Sequence, residues 1–182
     1  MTSEGKTEEL SRKRASIAAL FETHFARIAR YIAVRIGDTV MAEDMASEVF
    51  VRALRSLENY KDTGAPMEAW VFRIARNLIV DYYRSRARQP ALVSLDEQHN
   101  NIEDGSDPEG MIDHQLELEK LNQAAQYLSE AQREVLALRF GGEMTSEEAA
   151  RVMGKGPGAV RQMQSDAIKK LRQILTKTQP EQ

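Results

Sequence analysis

Cysteine is absent from the 182 residues, which excludes a disulfide framework and any thiolate metal site. No apolar run approaches the roughly 18 residues of a membrane span, so no membrane insertion is expected. The opening stretch, Met1 to Leu10, is polar and acidic and lacks the apolar core of a signal peptide. A cytoplasmic protein is the plain expectation. Histidine is scarce, and His24, His99 and His114 show no ligand spacing such as HExxH. His24 falls on an apolar helix face and reads as packing. Gly154-Lys155-Gly156-Pro157-Gly158 is glycine-rich but lacks the spacing, and the Ser/Thr after lysine, of a phosphate-binding loop. No serine sits in a nucleophile elbow. The expectation is a protein that is not an enzyme, with no catalytic residue, no metal and no cofactor.

What is present is charge, unevenly placed. The net charge is −3, which looks wrong for a nucleic-acid binder. Yet residues 10–88 carry 14 Lys/Arg against 9 Asp/Glu, and residues 116–177 carry 10 against 8. Residues 89–115 hold 7 acids and no Lys or Arg. Two basic segments therefore flank an acidic one, and local charge sets the field a phosphate backbone meets.

The apolar pattern is helical in both basic segments. Ile17, Leu20, Phe21, Phe25, Ile28 and Ile32 recur at three- and four-residue steps. Gly37-Asp38 breaks that stripe, and Asp38 suits an N-cap. Met45, Val49, Ala53, Leu54 and Leu57 form a second stripe. Asn59 to Gly64 reads as a loop, and Pro66 suits the first turn of a third helix. Met67, Val71, Ile74, Leu78 and Tyr82 give that helix its inner face. From Arg88 to His114 the periodicity fades among Pro, Gly, Asp and Asn. Helical signals return at Leu116. Ser129 with Gln132, and Thr145 with Glu148, each fit a capping box. Gly141-Gly142 is expected to end a helix by taking the left-handed conformation. Val160, Met163, Ala167, Leu171 and Ile174 line a last helix.

The fold class expected is all-α: two small helical domains, 10–88 and 116–177, joined by a flexible acidic linker, 89–115. A short helix, a tight glycine turn and a longer polar-faced helix make the second domain a helix-turn-helix. Arg161, Gln162, Ser165 and Lys169 share its outer face, with Gln164 at the edge. Arg pairs with guanine and Gln with adenine in the major groove; a merely solvated face would look similar. The third helix carries Trp70, Arg73, Asn77, Asp81 and Arg84 as a second stripe, flanked by Arg76, Tyr83, Arg86 and Arg88. Cations track phosphates and rings stack on unpaired bases, though a core tryptophan with salt-bridged arginines would give the same pattern. Glu43, Asp44 and Glu48 lie near the start of the second helix. There they would either favour the helix dipole or form a docking surface for a basic partner.

Four segments together carry a resemblance. Ala42-Glu43-Asp44-Met45-Ala46-Ser47-Glu48-Val49-Phe50-Val51-Arg52-Ala53 resembles the second conserved region of extracytoplasmic-function (ECF, group IV) RNA polymerase sigma factors. The run from Trp70 to Arg84 resembles the helix that follows it. Leu128 to Phe140 resembles the start of that family's C-terminal domain, and Gly158 to Gln164 resembles its recognition helix. In order and at suitable spacing, the four are specific.

The resemblance implies roles that spacing alone does not. Asp44, Glu48 and Arg52 would dock on the clamp helices of the polymerase's largest subunit, and the C-terminal domain would meet the flap region. Asn59 and Lys61 in the loop, with Trp70, Arg73, Arg76, Asn77, Asp81 and Arg84, would melt and read the minus-ten element. Thr145, Lys155, Arg161, Gln162, Gln164, Ser165 and Lys169 would contact the minus-thirty-five element as duplex. The acidic linker would run near the polymerase cleft and RNA exit path. Core RNA polymerase, promoter DNA in duplex and single-stranded form, and a cognate anti-sigma factor are the implied partners. Asp166 departs from the family's frequent basic residue; it either faces away from DNA or accepts from a cytosine amine. The competing reading is a helix-turn-helix operator-binding regulator acting without polymerase, which leaves the first 88 residues unexplained.

Overall fold

The computed structural model describes residues 3–88 and 120–178, and every regular element among them is helical. The expected linker at 89–115 lies outside the described residues. Helix α1 spans Ser3–Ile36. Its first turns are mostly exposed, and carry a Glu9–Lys13 pair at 2.7 Å. Lys13 also donates to the Tyr60 carbonyl at 3.3 Å, tying this end to the loop after α2. Ile17, Ile28, Tyr31, Ile32 and Ile36 turn one stripe inward.

Gly37 ends α1 with φ +76, and its N–H returns to the Ala33 carbonyl at 2.8 Å. Asp38 then caps α2 (Thr39–Ser56) by accepting from the Met41 N–H at 2.9 Å, as expected. The inner face of α2 is Ala42, Met45, Ala46, Val49, Phe50 and Ala53. Leu54 was expected there and instead stands 49% exposed. At 100° per residue Phe50, not Leu54, falls in line with Ala46 and Ala53. A 3₁₀ turn, Leu57–Asn59, leads to the loop, and α3 runs Met67–Arg88. Pro66 sits one residue ahead of α3, its carbonyl accepting from Ala69 at 3.0 Å.

In the second half, residues 120–125 are helical (α4), and α5 follows at Glu130–Leu136. Both capping boxes form: Ser129 with Gln132 opens α5, and Thr145 with Glu148 opens α6 (Ser146–Met153). Gly154, at φ +65, makes the turn into α7 (Pro157–Thr178). Together α6, turn and α7 are a helix-turn-helix.

The halves do not merely neighbour each other. One apolar core runs from Ile28, Ile32, Val49 and Phe72 into Val135, Leu138, Ala149 and Val152. Gly141 and Gly142 explain how. They were expected to end a helix by left-handed conformation, but Gly142 is right-handed at φ −80, and Glu143 takes the positive φ of 50. The glycines serve close approach instead. Residues Ala137–Gly141 form a π-helical turn laid on α1. A Cβ on Gly141 would sit 3.0 Å from both the Arg30 carbonyl oxygen and the Tyr31 Cα. One on Gly142 would lie 2.8 Å from the Leu138 oxygen and 3.3 Å from Phe72.

Gly141→Ala therefore overpacks the joint between the halves. Urea unfolding should show a loss of about 1–3 kcal/mol. Wild-type stability in this variant would mean α1 and the π turn are not pressed together.

Candidate nucleic-acid interface

At the joint, chemistry rather than packing alone links the halves. Glu134 of α5 is buried, its side chain 4% exposed. Tyr31 of α1 donates its hydroxyl to Glu134 Oε1 at 2.8 Å. Arg35, one turn on, has 2% side-chain exposure and places Nε 3.3 Å from Glu134 Oε2. Its guanidinium also bonds Glu130. Arg76 of α3 brings Nε within 3.7 Å of Glu134 Oε1. Burial pushes the Glu134 carboxyl above its ordinary value, against the opposing pull of Arg35 and the Tyr31 hydroxyl. Burial also pushes the Tyr31 phenol well up, with the Glu134 charge adding to it. At Glu130 burial acts upward as well, but Arg35 and Arg133 outweigh it and hold that carboxyl low.

More arginines cross the joint to backbone carbonyls. Arg27 donates to the Gly142 carbonyl at 3.0 Å, and Arg73 to the Arg151 carbonyl at 2.8 Å. Arg151 lies in the last turn of α6, where carbonyls lack helical partners and a cation suits the dipole. Arg30 pairs with Glu143 at 2.7 Å.

These contacts change the reading of α3. Arg73, Asn77, Asp81 and Arg84 are all exposed along one face, as expected. Arg73 and Arg76 are nevertheless turned toward the other half. Trp70 is half-buried and packs against Tyr60, ring centroids 4.8 Å apart. Asn59 and Lys61 lie exposed on either side of Tyr60, so loop and helix present one surface. Tyr60 and the Tyr82–Arg86 stack, 5.6 Å from guanidinium to ring, add aromatic surface; Tyr82, expected on the inner face of α3, is half-buried and packs against the core.

On α2, Glu43, Asp44 and Glu48 fall beyond the first turn, which holds no acid. The dipole explanation therefore lapses, because that effect fades within a turn. Asp44 is exposed. Glu48 accepts from Arg52 Nε at 2.8 Å, and Arg52 stands 3.8 Å from Asp81 of α3. His24, read as packing, is mostly buried and meets Glu68 at 3.3 Å.

The helix-turn-helix face is laid out in pairs. Arg161 and Gln162 are exposed near the start of α7. Arg161 reaches Glu147 of α6 at 3.1 Å, and Gln162 donates to Asp166 at 2.9 Å. Lys155 in the turn and Lys169 further along α7 are exposed, and Ser165 is half-buried. Gln164 is committed elsewhere: its carbonyl accepts from Arg139 Nε at 2.9 Å. Thr145 serves as the N-cap of α6, its N–H and hydroxyl both engaged with Glu148. The Thr145 backbone N–H holds the Glu148 carboxyl below its ordinary value.

Glu130, Glu134, Tyr31 and Arg35 were missed by sequence reasoning. The signal was an arginine four residues after a tyrosine inside the Ile28–Ile32–Ile36 stripe. Among the described residues no group of acids or histidines could hold a metal, and no helix is long and apolar enough to cross a membrane.

Known proteins align with this arrangement. Residues 20–89 match the family described as Sigma-70 region 2, and residues 124–173 match Sigma-70, region 4. The ECF RNA polymerase sigma factor BldN of Streptomyces coelicolor is 35% identical over 156 residues, 86% of this chain and 59% of BldN. The chain thus spans under two thirds of that relative. ShbA of Streptomyces griseus, also an ECF RNA polymerase sigma factor, is 37% identical over 134 residues, 72% of this chain and 70% of ShbA. The fold matches that of the sigma factor RpoE of Bartonella quintana, solved with the anti-sigma factor NepR. Its TM-score is 0.60 at 20% identity, over 89% of this chain and 98% of RpoE.

Removing the Glu134 carboxylate should loosen the joint. Glu134→Ala leaves buried Arg35 with Glu130 alone, so the loss should stay at or below the roughly 3–5 kcal/mol of a fully broken buried pair. Small-angle scattering should then report an expanded particle, with helix content by circular dichroism retained. A radius identical to wild type would contradict this role for Glu134.

Proposed function

The chain belongs to the ECF RNA polymerase sigma factor family, and from that membership we propose how its surfaces are used. It directs promoter-specific transcription initiation. The observation that carries this is the pair of sigma-70 regions, 2 then 4, in order on an all-helical frame.

We place the chain in the group IV subclass, acting in the cytoplasm and doing no covalent chemistry of its own. Asp44, Glu48 and Arg52 form the docking edge for the clamp helices of core polymerase. The charged line Glu48–Arg52–Asp81 supports that assignment, because it runs across α2 and α3 as one polar seam. Asn59, Lys61, Trp70, Arg73, Arg76, Asn77, Asp81 and Arg84 meet the minus-ten element, cations on phosphate and rings on unpaired bases. Thr145, Lys155, Arg161, Gln162, Gln164, Ser165 and Lys169 belong to the surface at the minus-thirty-five element. Within it, Thr145 and Gln164 hold the frame, while Arg161 and Gln162 face the major groove.

In the closed arrangement Arg73 and Arg76 are occupied by the second half. Minus-ten reading then requires the halves to part, and polymerase supplies the separate seats that hold them apart. Two weak DNA sites gain effective concentration once both are fixed on one scaffold. A cognate anti-sigma factor would use the cleft between the halves, where Val34 and Tyr83 are exposed and Arg84, Arg86 and Arg133 supply positive charge. The RpoE–NepR pairing supports this kind of partner.

Run-off transcription on fragmented genomic DNA, with core polymerase and with or without this chain, tests the function. New start sites sharing two spaced upstream elements are expected. No new starts, together with failure to bind core polymerase, would instead favour an operator-binding regulator.

A further inference from the structure

We propose that Asp166 is a positioning residue that makes Gln162 select an amine-bearing base, adenine or cytosine, at one position of the upstream element. This rests on the proposed reading of α7 as the duplex-contacting helix.

Gln162 and Asp166 are four residues apart on α7, so their side chains lie one above the other on the same face. Both are exposed, and Gln162 Nε2 donates to Asp166 Oδ1 at 2.9 Å. An ionised carboxylate only accepts hydrogen bonds. The amide must therefore turn its nitrogen to Asp166 and its carbonyl oxygen away. Glutamine is otherwise ambivalent, with two donors and an acceptor on an end that flips freely. Asp166 takes one of the two N–H groups and fixes the flip, so Gln162 Oε1 and the second Asp166 oxygen stand as acceptors beside the one N–H left.

Major-groove chemistry decides what such a face can read. Cytosine presents its N4 amine there and adenine its N6 amine. Guanine O6 and thymine O4 are acceptors. Against an oriented carbonyl and an anion, both would be repelled. Arg161 sits beside Gln162 but is drawn toward Glu147 of α6, so it does not neutralise the pair. The neighbouring arginine and glutamine thus have separate tasks. Arg161 is free to exchange Glu147 for guanine or phosphate, because an exposed pair of this kind is worth only about 0–1 kcal/mol. Gln162 is held to one polarity.

The test is transcription by the polymerase holoenzyme from a promoter library randomised across the upstream element. Wild type, Asp166→Ala and Gln162→Ala are compared. Both substitutions fall at exposed positions, and circular dichroism checks that the helices persist. Wild type should favour A or C over G or T at one position of one strand. In Asp166→Ala that discrimination should fall roughly tenfold. Gln162→Ala should flatten the preference at the same position. A uniform gain or loss on all sequences in Asp166→Ala would overturn the proposal, since it would mean simple repulsion of phosphates. So would changes in the two variants at different positions. If wild type itself gave no promoter-specific starts, the reading of the whole chain would fail, not this assignment.

Discussion

A carboxylate cannot sit in an apolar joint unless something answers its charge, and Glu134 is that carboxylate. Its partners come from two other helices, Tyr31 and Arg35 from α1 and Arg76 from α3, with Glu130 of its own helix sharing Arg35. A buried ion pair is near break-even against an apolar pair of the same size. Adhesion must then come mainly from the shared core and from the glycine contacts of the π turn. The polar network has a different effect. In this register of α5 on α1 Glu134 meets Tyr31, Arg35 and Arg76, and a slip would leave its charge buried without them, so the network favours the closed arrangement.

That arrangement is set against the chemistry of α3. Arg73 and Arg76 have the right side chains to follow phosphates, yet in the closed chain one caps α6 and the other flanks Glu134. The exposed remainder, Asn77, Asp81 and Arg84, is a weaker and nearly charge-balanced surface. Under the proposed function, this conflict would keep the free chain from gripping promoter DNA alone. The groups that would bind single strands are those that hold the protein shut.

Local signals were legible in the sequence where one short stretch decides the outcome. Asp38, Ser129–Gln132 and Thr145–Glu148 are caps formed by neighbours along the chain, and each appeared where expected. The helix-turn-helix was readable for the same reason. Leu54 was misplaced because the expected stripe passed over Phe50, which at 100° per residue lies in line with Ala46 and Ala53 and takes the inner face. The Gly141-Gly142 pair was read for its conformational freedom when its use is the missing side chain, a fact set by α1 more than a hundred residues away. The joint itself was invisible for that reason: nothing local marks Glu134 as the partner of Tyr31.

In the proposed function the free chain is closed and polymerase opens it. The absence of cysteine makes the direct test simple, since two introduced thiols label uniquely. Spin labels at Ala26→Cys on α1 and Gln173→Cys on α7, both exposed positions, report the distance between the halves by pulsed electron resonance. One narrow, short distribution is expected for the free chain and a longer one once core RNA polymerase is added. A free chain already showing the long distance, unchanged by polymerase, would contradict it.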